Sequence, residues 1–236
     1  MKTKKTFQVV FLGIVLLLIS TACTAISQLP LPSRKDLEDR FDKLGDIYPT
    51  KNFEDLYDKF PNGFKINHYF FEFHGNIVHV YKVKINGDSV NRTYSGIVEL
   101  EIETSDPLET ISISTYEINT IVNNRVEITA DEELKKKVND LEFLFLHFTL
   151  NREKLATLPF DSRFESPASR DTMLYYTIDD EYINQYFNVS EEEAENKVRL
   201  LLQGQQSSLR KNEYYSSVSL DIKRGRALLI ERIEGW

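Results

Sequence analysis

The chain is poor in most of what catalytic and binding motifs require. Its single cysteine, Cys23, excludes an internal disulfide framework and any multi-cysteine metal centre. Nine glycines are few for 236 residues, and none forms a phosphate-cradling loop. No G-x-S-x-G nucleophile elbow occurs. Positive charge is also short: 29 Lys+Arg stand against 37 Asp+Glu, a formal net charge of −8. That balance argues against nucleic acid as a partner, because phosphate binding needs a dense cationic face. No apolar run reaches the roughly 20 residues that span a bilayer as a helix. The longest, residues 9–19, is broken only by Gly13.

That short run is informative by its position. Lys2, Lys4 and Lys5 precede it, and Ile19-Ser20-Thr21-Ala22-Cys23 closes it. A cationic start, a short apolar stretch and small residues before a cysteine are the parts of a lipoprotein export signal. Residues 1–22 are therefore read as a signal peptide, cut before Cys23. The Cys23 thiol takes a diacylglycerol and the new amine an acyl chain. Alternatives are an ordinary secretory signal or an uncleaved anchor. Each buried methylene contributes about 0.8 kcal/mol, so two or three chains hold firmly. Without the leader's three lysines, residues 23–236 carry 26 basic and 37 acidic groups, a net charge of −11. Such a body is repelled by an anionic membrane, so the lipid acts as a tether and the folded part faces outward.

Residues 23–32 read as the lipidated cysteine and a short tether. Residues 33–236 read as one domain. Ser33 can cap a charged helix with the stripe Leu37, Phe41 and Leu44. Asn52 can cap a shorter one, with Phe53, Leu56 and Tyr57 inward, before the turn Pro61-Asn62-Gly63. Strands are expected over Ile66–Phe73 and Asn76–Ile85, and Asn86-Gly87 is a hairpin signal. A partner strand over Val90–Thr104 alternates Val98, Leu100 and Ile102 with Ile97, Glu99, Glu101 and Glu103, so one face meets water and one a core. Shorter strands over Thr110–Thr115, Ile118–Val122 and Arg125–Thr129 follow, the last two joined at Asn123-Asn124. From Ala130 a helical stripe runs through Leu134, Val138, Leu141, Phe145 and Phe148. Glu142–Leu150 is apolar nearly all round, as a buried helix or a strand. Pro159–Ser169 reads as a loop, Met173–Ile178 as a strand and Asp179–Phe187 as a helix. Ser190 and Glu193 form a capping box. Val198–Leu202 reads as a strand in preference to a longer helix. Tyr214–Ile222 and Ala227–Ile233 close the chain as a hairpin around Arg224-Gly225. Strands dominate without β-α-β alternation, which predicts a single α+β domain with an antiparallel, meander-rich sheet flanked by helices.

Candidate chemistry is sparse. His68, His74, His79 and His147 lack H-E-x-x-H spacing and read as satisfied or exposed side chains, so no metal and no cofactor are expected. Asp179-Asp180-Glu181 and Glu191-Glu192-Glu193 read as helix starts, where acids suit the dipole. Lys135-Lys136-Lys137 reads as the solvated side of a helix. Tyr69, Phe70, Phe71 and Phe73 put aromatics on both faces of one strand, and any on the wet face are candidate partner contacts or the lining of a ligand cleft. Asn91-Arg92-Thr93 matches a glycosylation sequon by pattern only. A hydrolase would need a cleft holding an acid or histidine pair. No catalytic residue is assigned.

The run Asp46–Lys59, DIYPTKNFEDLYDK, resembles the signature after the first helix of the staphylococcal tandem lipoproteins, also called the conserved staphylococcal antigen family. Asn91-Arg92-Thr93 with Gly96, the segment Asn124–Phe143 ending in LKKKVNDLEF, and Leu200–Arg224 are similar to later segments of that family in the same order. The usual insertion after the first motif is reduced to Pro61-Asn62-Gly63, and a tryptophan often found at the first strand has no counterpart near Tyr69, as in a divergent member. The resemblance implies a non-enzymatic lipoprotein, anchored to the cell membrane at Cys23 and facing outward. It also implies contact with a host-cell surface protein and lipid-mediated stimulation of innate receptors. Only Cys23 carries over as a functional residue. An envelope ligand or lipid carrier is the alternative.

If Cys23 is the anchor, Cys23→Ala in the producing cell releases the protein from the membrane fraction and abolishes fatty-acid labelling. Wild-type retention of the variant would exclude lipidation as the anchor.

Overall fold

The structure, a computed structural model, describes residues 32–105, 108–166, 171–187, 198–205, 214–222 and 227–236. The leader, Cys23 and the Ser190–Glu193 capping box lie outside these residues. So do the acidic run 191–193 and the turn at Arg224-Gly225. The chain divides into a small unit, Met1–Leu37, and a large one, Glu38–Trp236. In the described part of the first, the Ser33 hydroxyl accepts the Asp36 N–H at 3.2 Å, while the Asp36 carboxylate accepts the Ser33 N–H at 2.9 Å. This reciprocal pair caps the helix start.

The large unit is a ten-stranded antiparallel sheet with a helical layer. This is the α+β class expected. The strands are β1 Phe64–His74, β2 Ile77–Asp88, β3 Thr93–Ser105, β4 Leu108–Val122, β5 Arg125–Ile128, β6 Phe160–Glu165, β7 Asp171–Ile178, β8 Val198–Gln205, β9 Tyr214–Ile222 and β10 Ala227–Gly235. Their spatial order is β5-β4-β3-β2-β1-β10-β9-β8-β7-β6. Two five-strand meanders therefore meet at β1 and β10, the first and last of the described strands. Each meander is local in sequence and only the central seam is not. The path from edge strand β5 to edge strand β6 crosses the sheet through α4 Glu132–Asp140, α5 Leu144–His147 and α6 Arg152–Thr157. Ahead of β1 come α1 Arg34–Glu38, α2 Leu44–Ile47 and α3 Asp55–Lys59, and α7 Glu181–Tyr186 follows β7.

Alternation decides which face each residue meets. On β1, Phe64, Ile66, His68, Phe70 and Glu72 point to the helices; on β10, Ala227, Leu229, Glu231, Ile233 and Gly235 do. The core between the layers is rich in aromatic rings. Phe53 stands edge-on to Phe143 and Phe145, with centroids 5.0 and 5.1 Å away. Such edge-to-face pairs add about 0.5–1.5 kcal/mol each beyond burial.

Several expectations change in the folded chain. Asn86-Gly87 is not a turn: both lie inside β2, and the chain turns at residues 89–92, where Arg92 has φ 51°. Gly87 is there because Phe64 lies across it; a Cβ would sit 2.2 Å from the ring. Gly235 makes the same room for Phe60. The segments expected as two strands, Thr110–Thr115 and Ile118–Val122, form one, β4. Asn123 and Asn124 do turn, both at positive φ, as a two-residue hairpin of the primed kind requires. The first expected helix is three short pieces, with a 3₁₀ turn at Asp39–Phe41, although Phe41 and Leu44 stay buried. The long stripe after Ala130 breaks at Leu141. Glu142–Leu150 is neither all helix nor all strand, since a single helical turn sits between extended residues. The loop expected at Pro159–Ser169 contains edge strand β6, and α6 had no counterpart in the sequence reading.

Candidate functional site

The helix-covered face holds the titratable groups that most need explaining. At the β1–β10 seam His68 and Glu231 are opposite in register, and both side chains are fully buried. The Glu231 carboxylate takes three contacts. Its Oε2 accepts the Leu144 N–H at 2.9 Å, its Oε1 accepts the Phe145 N–H at 3.0 Å, and His68 Nδ1 lies 3.2 Å from Oε2. The two N–H groups belong to the first turn of α5, which lacks an intrahelical partner for them. The carboxylate thus satisfies a buried helix start from the sheet below. The His68 ring packs on Phe143 at 4.8 Å, and its Nε2 has no partner among the described residues.

This acid–histidine pair is not open to substrate. Neither residue lines the two clefts described on this face, and both side chains have no exposed surface. Its geometry suits a clamp between the layers. The sequence offers His68 as a satisfied or exposed histidine on a strand, and the partner it leaves unnamed is Glu231. The signal was an acid at the inward position of an otherwise apolar alternation, Ala227-x-Leu229-x-Glu231-x-Ile233.

Around the pair lies a group of tyrosines. The Tyr182 hydroxyl donates to Glu142 at 3.0 Å. Burial first, and then the Glu142 charge and hydrogen bond, raise its pKa well above the ordinary phenol value. Burial also raises Tyr186, with Glu231 adding to it, and its hydroxyl has no partner among the described residues. Tyr81 is pushed up to about 12 by burial, by the charge of Glu72 and by its hydrogen bond to that carboxylate. Tyr94 is raised by burial and by its contact with Tyr57.

A cleft of about 500 Å³ opens between α4 and strands β1 to β4. Its lining includes Tyr81, Leu100 and Leu134, together with the charged groups Glu72, Asp131, Glu133, Lys136, Lys137 and Asp140. Lys137 departs from the expected solvated face of α4. Its ammonium donates to Glu72 and lies 5.4 Å from the ring centres of both Phe70 and Tyr81. Lys135 keeps to the surface with Glu132 at 2.8 Å. Asp179 and Asp180 sit before α7 as expected, with Asp180 bound to Lys154 at 2.9 Å.

The opposite face of the sheet carries no described helix. Tyr69, Phe71 and Phe73 of β1 point there, beside Leu228 and Ile230 of β10. Buried Val78 and Val80 of β2 pair with Phe73 and Phe71. Lys82–Glu101 and Lys84–Glu99 ion pairs flank this apolar strip.

Comparison with known proteins adds no identity: no family model and no curated protein matches the chain.

Two outcomes follow from the buried groups. Glu231→Ala strands a buried histidine and two helix-start N–H groups, so stability falls by about 3–5 kcal/mol. Urea unfolding followed by Trp236 fluorescence measures this, and a loss within the range of an ordinary surface change would refute the clamp. The tyrosines govern the alkaline limit. In the unfolded chain they ionise near 10, whereas the fold keeps them protonated beyond that, Tyr81 to about 12. Above about pH 10 the native state therefore binds more protons than the unfolded one, and stability falls as pH rises towards about 12. Tyr186→Phe removes one such group and an unpartnered hydroxyl, so it flattens this decline without loss of neutral-pH stability. An equally steep decline in the variant would count against the assignment.

Proposed function

We propose that this chain is a membrane-anchored, outward-facing bacterial lipoprotein that acts by interaction rather than catalysis. Its lipid would be carried on Cys23, and its working surface is the sheet face opposite the helices. The observation that supports this most is the apolar strip Tyr69, Phe71, Phe73, Leu228 and Ile230 on that face. An aromatic centre with a charged rim is the composition of protein-contact surfaces. The partner that fits is a protein, at the host-cell surface or in the envelope. The −11 body is consistent with an outward orientation, and the resemblance to the staphylococcal tandem lipoproteins leads to the same reading.

The runner-up, a lipid carrier in the envelope, requires a continuous apolar cavity. The cleft beneath α4 has six charged side chains in its lining, which suits a polar guest better than an acyl chain. The aromatic core counts against a lipid as well, because Phe143, Phe145 and Phe148 fill the space between the layers.

The test uses the whole anchored chain on its producing cell. Tyr69→Ser/Phe71→Ser/Phe73→Ser is expected to abolish protein-dependent adhesion to host cells or capture of an envelope protein, while surface abundance is retained. A triple variant that binds like wild type would exclude this face. Cys23→Ala, which removes the lipid and leaves the fold, separates receptor stimulation by the lipid from contact by the protein.

A further inference from the structure

The far end of the β1–β2 hairpin gathers three side chains that the sequence reading kept apart. Glu72 and His74 are two apart on β1, so both face the helices. The chain then turns at Gly75, whose φ is +63°. The antiparallel register sets His79 of β2 directly opposite Glu72. The motif Glu-x-His-Gly-x-x-x-His is thus a hairpin motif, and a search for helical H-E-x-x-H spacing passes over it. One ligand atom from each of Glu72, His74 and His79 lies within 4.8 Å of the others. His74 Nε2 and Glu72 Oε2 are 3.8 Å apart, and the two imidazole centres are 5.1 Å apart.

We propose that Glu72, His74 and His79 bind one divalent transition-metal ion of the zinc type at the mouth of the α4 cleft. Two imidazoles and a carboxylate make an N₂O set. Such sets favour zinc, nickel and copper, whereas calcium and magnesium prefer oxygen throughout. A tetrahedral zinc ion with bonds of about 2.1 Å holds its ligand atoms about 3.4 Å apart. The observed spread reaches 4.8 Å, so binding needs the side chains to draw together by up to about 1.4 Å, and His74, whose side chain is 59% exposed, has room to move.

Two further features suit a cation. The carboxylate that would ligate is already oriented from its other side. Lys137 holds Oε1. Metal-binding carboxylates are commonly fixed by such outer partners. The cleft lining holds four acids, Glu72, Asp131, Glu133 and Asp140, against two lysines, so its formal charge is negative. Three protein ligands leave zinc at least one position for water or for a group from a bound partner. The ion would also join the two strands of the hairpin.

The experiment takes the full untagged chain in detergent micelles, stripped with a chelator. Zinc is titrated in competition with a chromophoric chelator, and cobalt is substituted as a spectroscopic probe. The expected result is one zinc per chain, with affinity reduced at least about tenfold in His74→Ala, in His79→Ala and in Glu72→Gln. The double variant His74→Ala/His79→Ala loses the site, while His147→Ala keeps wild-type affinity. The cobalt form shows d–d bands without a thiolate charge-transfer band, which sets Cys23 aside as a ligand. Zinc raises the unfolding midpoint of the wild type and leaves that of the double variant unmoved. Equal metal-free midpoints show that the double variant folds. Absence of zinc binding, or affinity unchanged in the double variant, would overturn the proposal.

Discussion

One buried carboxylate holds this fold together. Glu231 sits on the last strand, at the seam of two meanders, and reaches up to the first turn of α5. A carboxylate in that position is costly to bury unless it is well hydrogen-bonded. Here two backbone N–H groups and an imidazole meet it. Two of these contacts also satisfy a helix start that would otherwise be buried without partners. The sheet and the crossing segment are thus joined by mutual need as well as by apolar contact. Remove the acid, and the helix turn and the histidine both become liabilities.

The seam is also the most non-local part of the chain. His68 and Glu231 are 163 residues apart, while within each meander most neighbours are hairpin partners. The entropy of closing so long a loop rises only slowly with length, but it must be overcome before the pairing contributes anything. A buried, hydrogen-bonded contact at that point gives the two halves one register. Both meanders place their described helices on one side, and the other side of the sheet carries no described helix. That asymmetry is why aromatics on β1 divide into two kinds. Phe70 packs into the core beside Tyr186, while Tyr69, Phe71 and Phe73 are turned away from every described helix.

The local errors of sequence reading share a cause. Asn86-Gly87 carries strong turn chemistry, yet Gly87 serves a ring from the neighbouring strand, and only the pairing of β1 with β2 reveals it. Lys137 belongs to a lysine run on a solvated helix face, but it lies close enough to Glu72 to turn inward. The edge strand at Phe160–Glu165 has polar residues at most positions because it is half in water, so its pattern resembles a loop. By contrast, the alternations of β7 and β10 are plain in the sequence, since one face of each is buried and the period of two survives intact.

The sequence by itself determined the class of fold, the placement of most strands, and the expectation of an export signal ending at Cys23. These depend on local pattern: alternation, capping and a short apolar run near a cationic start. Which side chains meet was decided only by the tertiary structure. Glu231 with His68, Lys137 with Glu72, and His79 with Glu72 and His74 are set by strand order and register. The physical reason is that periodicity tells which face a residue occupies but not which distant residue shares that face, and long-range pairing supplies the second fact.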